Sequence, residues 1–276
     1  MVLEIKQNLI NEFKGIIKDS FGDYLIYSFL TGSLNYKYYK DFINNSDVDL
    51  MIVLSNDIIL SHELKKCRQK FNSYYLQLHT EYSLKPDLVF PGEVISEAML
   101  EEVKLGRGFE KHSEKLFYRE ISGENEEWLL NHDLEYRCWR SMFFFTKNES
   151  FISGEYNKFL SDRNEIILPF IFYLLEYPQK PLPSDYNFLK IRIEQKIKNS
   201  CINEFGYCNS YESNLFGENS ELIGIPIKEV LINSGILIKN TEKIDIEILE
   251  KKILKFLNEL ISKEFRDNVN PFIIKK

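Results

Sequence analysis

Two aspartates separated by one residue, Asp47 and Asp49, are the side chains in this sequence best suited to carry out chemistry. They begin an apolar run over residues 47–54 (DVDLMIVL) that predicts a β-strand. Residues two apart on a strand project from the same face of a sheet, so both carboxylates would leave one face. Carboxylate oxygens suit hard divalent cations, and two Mg²⁺ ions about 4 Å apart can activate an attacking oxygen and stabilise a leaving one. The spacing therefore predicts a two-metal site.

Gly32 and Ser33, which come before the aspartates in the chain, are the candidate phosphate-binding residues. They directly follow the apolar, aromatic run 24–31, which predicts a strand, and they precede a predicted helix over 34–42. Glycine allows a sharp turn between the two elements. Free N–H groups at the start of a helix, together with the serine hydroxyl, can bind phosphate oxygens.

A third carboxylate is expected from a neighbouring strand, and Asp87 is the candidate. It begins Asp87-Leu88-Val89-Phe90, a predicted short strand that ends before Pro91-Gly92. Together with Asp47 and Asp49 it would complete a metal site beside the phosphate cradle.

The elements that would position these residues alternate along the first part of the chain. Apolar spacing predicts helices over 3–20 and 58–82, so the order is helix, strand, helix, strand, helix, strand, which is typical of an α/β domain. After about residue 120 the chain is aromatic-rich and mostly helical. The expected fold class is α+β, with an α/β domain over 1–120 containing a small mixed sheet and a mostly α-helical domain over 121–276. The elements predicted in the second domain are helices over 126–145, 159–176 and 187–199, an irregular loop over 201–224, and a last helix from Asp245, its N-cap, to Phe265.

The segment Thr31-Gly32-Ser33, a thirteen-residue spacer and Asp47-Val48-Asp49-Leu50 resembles the signature of the DNA polymerase β-like nucleotidyltransferase superfamily. The resemblance covers residues 24–90, about a third of the chain. Within the superfamily, the size and the α/β-then-helical layout are similar to the antibiotic nucleotidyltransferases that modify aminoglycosides and lincosamides. They are also similar to minimal nucleotidyltransferases of toxin–antitoxin and defence systems.

The resemblance implies an Mg²⁺-dependent enzyme that moves an NMP from ATP or another NTP to an acceptor hydroxyl and releases pyrophosphate. Gly32 and Ser33 would hold the β- and γ-phosphates. Asp47 and Asp49 would bind two Mg²⁺ ions, and Asp87 would ligate the one that activates the acceptor. The first choice of acceptor is a small hydroxylated molecule such as an aminoglycoside-type antibiotic.

Three alternatives remain open at this point. The acceptor could be a protein or a tRNA 3′ end, as in toxin or defence systems. The domain could be a catalytically silent nucleotide-binding or interaction module. In the simplest alternative, Asp47 and Asp49 only cap a turn after Ser46 in an ordinary α/β domain.

Composition and charge exclude several classes of protein. The 276 residues, 44% hydrophobic and 28% charged, exclude wholesale disorder. The net charge of −7 gives no support to a general nucleic-acid binder, although it suits a cationic acceptor. Four scattered cysteines without metal-site spacing are typical of a reducing compartment, and no apolar run is long enough for a membrane span. We therefore expect a cytoplasmic protein with no membrane partner, whose aromatic helical half could form a homodimer.

The remaining polar residues give weaker signals. Lys104 begins a Lys-Leu-Gly-Arg-Gly stretch that could meet a triphosphate, although a solvated basic helix end explains it equally well. Any single acidic residue over 126–145 is a weak candidate for the catalytic base. The four histidines are scattered and are expected on the surface: His62, His79, His112 and His132.

Overall fold

The first helix, α1 (Val2–Phe21), forms because apolar residues recur along one face, and that face is buried. The computed structural model describes residues 2–32, 48–60, 63–86, 92–104, 142–143, 146–175, 177, 180–199 and 220–267. The chain forms two compact units. Of the described residues, unit 1 contains those up to Glu102 and those from Thr146 to Phe159, and unit 2 contains the others.

Unit 1 is a mixed α/β structure around a small mixed sheet. Its described strands are β1 (Leu25–Leu30), β2 (Leu50–Leu54), β3 (Glu93–Ser96) and β4 (Phe151–Gly154). They lie in the order β3-β2-β1-β4, with β1 antiparallel to β2 and to β4, and β2 parallel to β3. Every residue of the central strand β2 is buried, which matches its continuous apolar sequence.

Three helices follow β2 and β3: α2 (Asp57–Leu60), α3 (Leu64–Glu81) and α4 (Glu97–Lys104), of which α4 continues into unit 2. Helix α3 packs on α1 through aromatic pairs, with ring centroids 6.1 Å apart for Phe13 and Tyr75 and 5.5 Å apart for Phe21 and Phe71. A second aromatic cluster joins β1 to β4 and to the residues that follow β4. It contains Tyr27, Phe29, Phe151 and Phe159.

Unit 2 is helical in its described part. Its helices are α5 (Tyr156–Leu174), whose first turn belongs to unit 1, α6 (Tyr186–Asn199), α7 (Ser220–Asn233) and α8 (Ile246–Asp267). Two interactions join α5 to its neighbours. Phe172 lies 6.0 Å from Phe256 of α8 between ring centroids, and the buried Arg163 donates to Glu229 of α7 at 2.9 Å. None of the described helices combines the length and apolarity needed to cross a membrane.

The structure confirms the predicted helices over 3–20, 159–176 and 187–199, the strand over 24–31 and the helix after Asp245. It corrects three others. The helix predicted over 58–82 is two helices, α2 and α3. The second strand begins at Leu50, so Asp49 precedes it instead of lying within it. The loop predicted over 201–224 overlaps α7, which begins at Ser220.

Two strands were not predicted, and several predicted elements lie outside the described residues. Neither β3 nor β4 was expected from the sequence. The predicted helix over 34–42, the strand over 87–90 and most of the helix over 126–145 fall outside the described part of the chain. So does the proposed boundary near residue 120, which stays a prediction. Strand β4 lies beyond that position in the chain and is part of the same sheet as β1.

Candidate functional site

Gly32 and Asp49 meet at one end of the two inner strands of the unit 1 sheet, where β1 ends and β2 begins. Gly32 follows the last residues of β1 and has a φ of +64°, a conformation that favours glycine. A Cβ added to Gly32 would lie 2.6 Å from Cγ and 2.9 Å from Cβ of Asp49, so the bare Cα faces the carboxylate directly. The structure thus brings together one residue from each half of the predicted motif.

The main chain continues the β1–β2 pairing up to this end of the sheet. The Thr31 N–H donates to the Asp49 carbonyl at 2.9 Å, one step beyond the pair of Leu30 and Leu50. Thr31 is fully buried, whereas Gly32 and Asp49 are partly exposed. The buried backbone at Thr31 therefore adjoins two partly exposed residues, Gly32 and Asp49.

The directions of the strands bring further segments to the same end of the sheet. Because β2 and β3 are parallel, the residues that precede each strand lie at the same end of the sheet. Those residues are Asp49 for β2 and Gly92 for β3. Thr146, which comes before β4, lies at that end as well, where its Oγ1 donates to the Leu30 carbonyl at 2.7 Å.

Helix α3 supplies a histidine that the sequence analysis misplaced. His79 was expected on the surface, but only 1% of it is exposed. Its Nε2 accepts a hydrogen bond from the Val48 N–H at 3.1 Å, and its Nδ1 lies 2.8 Å from the Tyr75 carbonyl. Val48 is the residue between the two aspartates of the motif. The signal that could have located His79 is helical spacing, because it shares the buried stripe of α3. That stripe comprises Leu64, Arg68, Phe71, Tyr75, Leu78 and His79.

Helix α3 is itself held on two sides. Arg68, 3% exposed, donates to the Gly92 carbonyl at 3.4 Å and fixes the start of β3. On the α1 side, Lys70 forms an ion pair with Asp19 at 2.7 Å. The hydrogen bond between them lowers the pKa of Asp19 and raises that of Lys70. Both groups are solvent-exposed, so the pair orients the helix surface and adds little to stability.

Three of the five predicted site residues lie outside the described part of the chain: Ser33, Asp47 and Asp87. Their place in the site stays a prediction. Within the described ranges, His, Cys, Asp and Glu side chains form no group of three or more that could hold a metal ion.

Lys104, the weaker candidate for a triphosphate contact, is engaged in unit 2. Its Nζ lies 2.7 Å from Asp162 and 3.0 Å from Glu165, and its side chain is mostly buried. Two carboxylates therefore already neutralise the charge of Lys104, while the other cations of the same hypothesis, Arg107, Lys111, Lys115 and Arg119, lie outside the described residues.

The described residues fit a metal and phosphate site in one measurable respect. The Asp49 carboxylate occupies the space that a side chain at residue 32 would need, so only glycine allows it to lie there. A carboxylate that packs against glycine backbone can offer an oxygen ligand to a hard cation close to backbone N–H groups of the kind that bind phosphate oxygens.

Comparison with known proteins gives no relative for this chain: no protein-family model matches it, and no curated protein or solved structure shows significant similarity.

Proposed function

We propose that the protein is an Mg²⁺-dependent nucleotidyltransferase that moves an NMP, AMP in the first instance, from an NTP to a hydroxyl group and releases pyrophosphate. The observation that carries this proposal is the contact of Gly32 with the Asp49 carboxylate at the end of strands β1 and β2. These residues are separated in sequence, and the resemblance requires them to work together. The small mixed sheet agrees with the fold that the same resemblance implies.

Each residue of the motif has one task in the proposed reaction. Gly32 and Ser33 hold the β- and γ-phosphates with backbone N–H groups and a hydroxyl. Asp47, Asp49 and Asp87 hold two Mg²⁺ ions, which supply charge neutralisation at the phosphates when bound. The chain contributes mainly by positioning the groups and by presenting fixed charges.

The reaction is an in-line substitution at phosphorus. The acceptor oxygen bonds to the α-phosphorus, and the bond from that phosphorus to the bridging oxygen of the leaving pyrophosphate breaks. The acceptor hydroxyl loses its proton to a base or to solvent. Atoms and charge balance with an NTP and a hydroxyl compound as the only reactants.

A small cationic, hydroxylated molecule of the aminoglycoside type is the first acceptor to test. The net charge of −7 favours association with a cation, and it opposes a polyanionic tRNA unless a local basic surface offsets it. Protein and tRNA acceptors are the alternatives that the same experiment examines.

The experiment is transfer of label from α-³²P-ATP with Mg²⁺ to three acceptor pools: an antibiotic panel, total tRNA and cell protein. We expect label in one pool with the wild-type chain and loss of at least about 100-fold with Asp49→Asn. Asp57→Asn is the matched control, because Asp57 is an exposed carboxylate of the same unit that follows β2 instead of preceding it.

The outcomes separate the alternatives. Label in a single pool identifies the class of acceptor. Equal label with wild type and Asp49→Asn would contradict the assignment of the site. If no pool is labelled with ATP, the experiment is repeated with α-³²P-labelled GTP, CTP and UTP. If none of these labels a pool either, the protein is a silent nucleotide-binding or interaction module.

A further inference from the structure

We infer that His79 is a positioning residue of the site: its imidazole holds the Val48 N–H, and through it the direction of the adjacent Asp49 carboxylate. This inference deepens the proposed function and rests on its metal site, because it assumes that the aspartates of the motif bind a divalent cation. It gives a metal-positioning role to a buried histidine outside the motif.

The two hydrogen bonds of the ring define its protonation. A backbone N–H can only donate, so Nε2 must accept from Val48 at 3.1 Å. Nδ1 then carries the proton and donates it to the Tyr75 carbonyl at 2.8 Å. The ring is therefore one neutral tautomer, and its orientation is set from within α3. The Tyr75 ring contacts the imidazole, with ring centroids 4.0 Å apart and planes tilted by 38°, and restricts its rotation as well.

Regular sheet pairing does not explain the contact. Strand β2 begins at Leu50, and among the described residues the last main-chain bond between its start and the β1 side is Thr31 N–H to the Asp49 carbonyl. Val48 lies beyond that bond and is 1% exposed, so its N–H needs an acceptor inside the protein. The acceptor comes from 31 residues away in the sequence. Two restraints thus hold the chain at the motif: Thr31 on the Asp49 carbonyl, and His79 on the Val48 amide.

A fixed main chain at the motif is more important for binding a metal ion than for packing the core. Mg²⁺ requires oxygen ligands at about 2.0–2.1 Å in a nearly ideal octahedron, so a small rotation of the main chain moves a carboxylate out of reach. The Tyr75 hydroxyl lies 3.5 Å from the Val48 carbonyl and adds only a weak restraint from the same helix. The imidazole therefore holds the Val48 N–H from α3, whereas the Tyr75 hydroxyl faces the carbonyl of the following peptide unit.

The test is Mn²⁺ binding to the full chain, measured by the electron paramagnetic resonance signal of free Mn²⁺. Three variants are compared with wild type: His79→Leu, which fills the space without an acceptor, His79→Gln, which keeps one, and Leu78→Ala. Leu78 is the matched control, because it is a buried residue of the same helix with an apolar side chain. We expect His79→Leu to weaken Mn²⁺ binding about 10- to 100-fold, His79→Gln by no more than about threefold, and Leu78→Ala by less than about twofold.

Each result decides the question. Wild-type affinity in His79→Leu, or equal weakening in Leu78→Ala, would overturn the inference and leave His79 as a core residue. If Asp49→Asn loses Mn²⁺ while His79→Leu retains it, only the inference fails. If binding depends on His79 but no label is transferred with any nucleotide, the proposed function fails and the inference stands. A wild-type chain that binds no Mn²⁺ would refute both.

A measurement on the wild-type chain covers the case in which His79→Leu does not fold. Long-range ¹H–¹⁵N correlation of the histidine rings separates a protonated nitrogen from an unprotonated one. We expect Nδ1 of His79 to be protonated and Nε2 to have the shift of an accepting nitrogen. The opposite tautomer would overturn the inference, because Nε2 could then not accept from Val48.

Discussion

At the scale of single residues, the closest constraint in the candidate site is the contact between the Cα of Gly32 and the carboxylate of Asp49. We expect Gly32→Ala to lower Mn²⁺ affinity by at least about tenfold, because the new methyl group must displace the carboxylate. It should also cost about 1 kcal/mol of stability, since alanine is strained at a φ of +64°. Titration with Mn²⁺ and urea unfolding measure the two effects.

Gly22→Ala is the control for that prediction. Gly22 has a φ of +52°, and nothing lies within 4 Å of a Cβ added there. It should show the same loss of stability, about 1 kcal/mol, with unchanged Mn²⁺ binding. Equal Mn²⁺ affinity in both variants would mean that the Gly32 contact with Asp49 has no part in metal binding.

Residue types and spacing singled out Gly32 and Asp49, which lie against each other in the structure. They placed His79 on the surface, although it is buried. The motif is local, and its chemistry can be predicted from the types of its residues. The role of His79 depends on a hydrogen bond to Val48 across 31 positions, which no local pattern encodes. Its burial could have been predicted, because it shares the apolar stripe of α3 with Phe71 and Tyr75.

At the scale of elements, the end of α3 that carries His79 contains a strained residue. Ser83 is exposed and has a φ of +55°, a conformation that costs a residue with a side chain about 1–2 kcal/mol. The Leu84 N–H donates to the His79 carbonyl at 2.8 Å, which closes the last turn in a glycine-type cap. We expect Ser83→Gly to raise the free energy of unfolding by about 0.5–1 kcal/mol, measured in urea.

Asn240→Gly is the matched control for Ser83→Gly. Asn240 is also exposed and has a φ of +67°, but asparagine tolerates this conformation. Its replacement should change stability by less than about 0.3 kcal/mol. A gain as large as that of Ser83→Gly would show that the benefit does not come from relief of side-chain strain.

The N-cap of α8 is an element boundary that the sequence predicted and the structure confirms. Asp245 Oδ1 accepts from the Ile248 N–H at 3.0 Å, which satisfies one of the free amides at the start of the helix. Asp245→Ala should therefore destabilise the protein by about 1 kcal/mol in urea unfolding, whereas Asp245→Asn should stay within a few tenths. An equal loss in both variants would show that the charge, and not the hydrogen bond, is what matters.

The two strands of four residues could not be predicted from the sequence. Strand β3 (EVIS) and strand β4 (FISG) are too short for a period of two to be distinguished from chance. Both are strands because of their neighbours: β3 pairs with the buried β2, and β4 pairs with β1. Long amphipathic segments such as α1 carry enough repeats to be predicted without their partners.

At the scale of the whole molecule, the chain returns to its first unit late in the sequence. Strand β4 pairs with β1 from Tyr27–Gly154 to Phe29–Phe151, and the hydroxyls of Ser28 and Ser153 lie 3.1 Å apart. Gly154 has a φ of +98°, and a Cβ there would lie 2.5 Å from the Cα of Tyr27, so the two strands approach too closely for any side chain. The sheet is thus completed by residues that follow the predicted boundary near residue 120.

This topology predicts how fragments of the chain behave. A fragment of residues 1–120 lacks β4 and Phe159, whose ring centroid lies 5.0 Å from that of Phe29. It would leave an edge of β1 unpaired and the buried rings of Tyr27 and Phe29 exposed, which favours aggregation. A fragment of residues 1–160 keeps both. We expect only the longer fragment to remain monomeric in size-exclusion chromatography and to unfold cooperatively in urea. Cooperative unfolding of the shorter one would show that β4 is dispensable, and failure of both would show that unit 1 needs residues beyond 160.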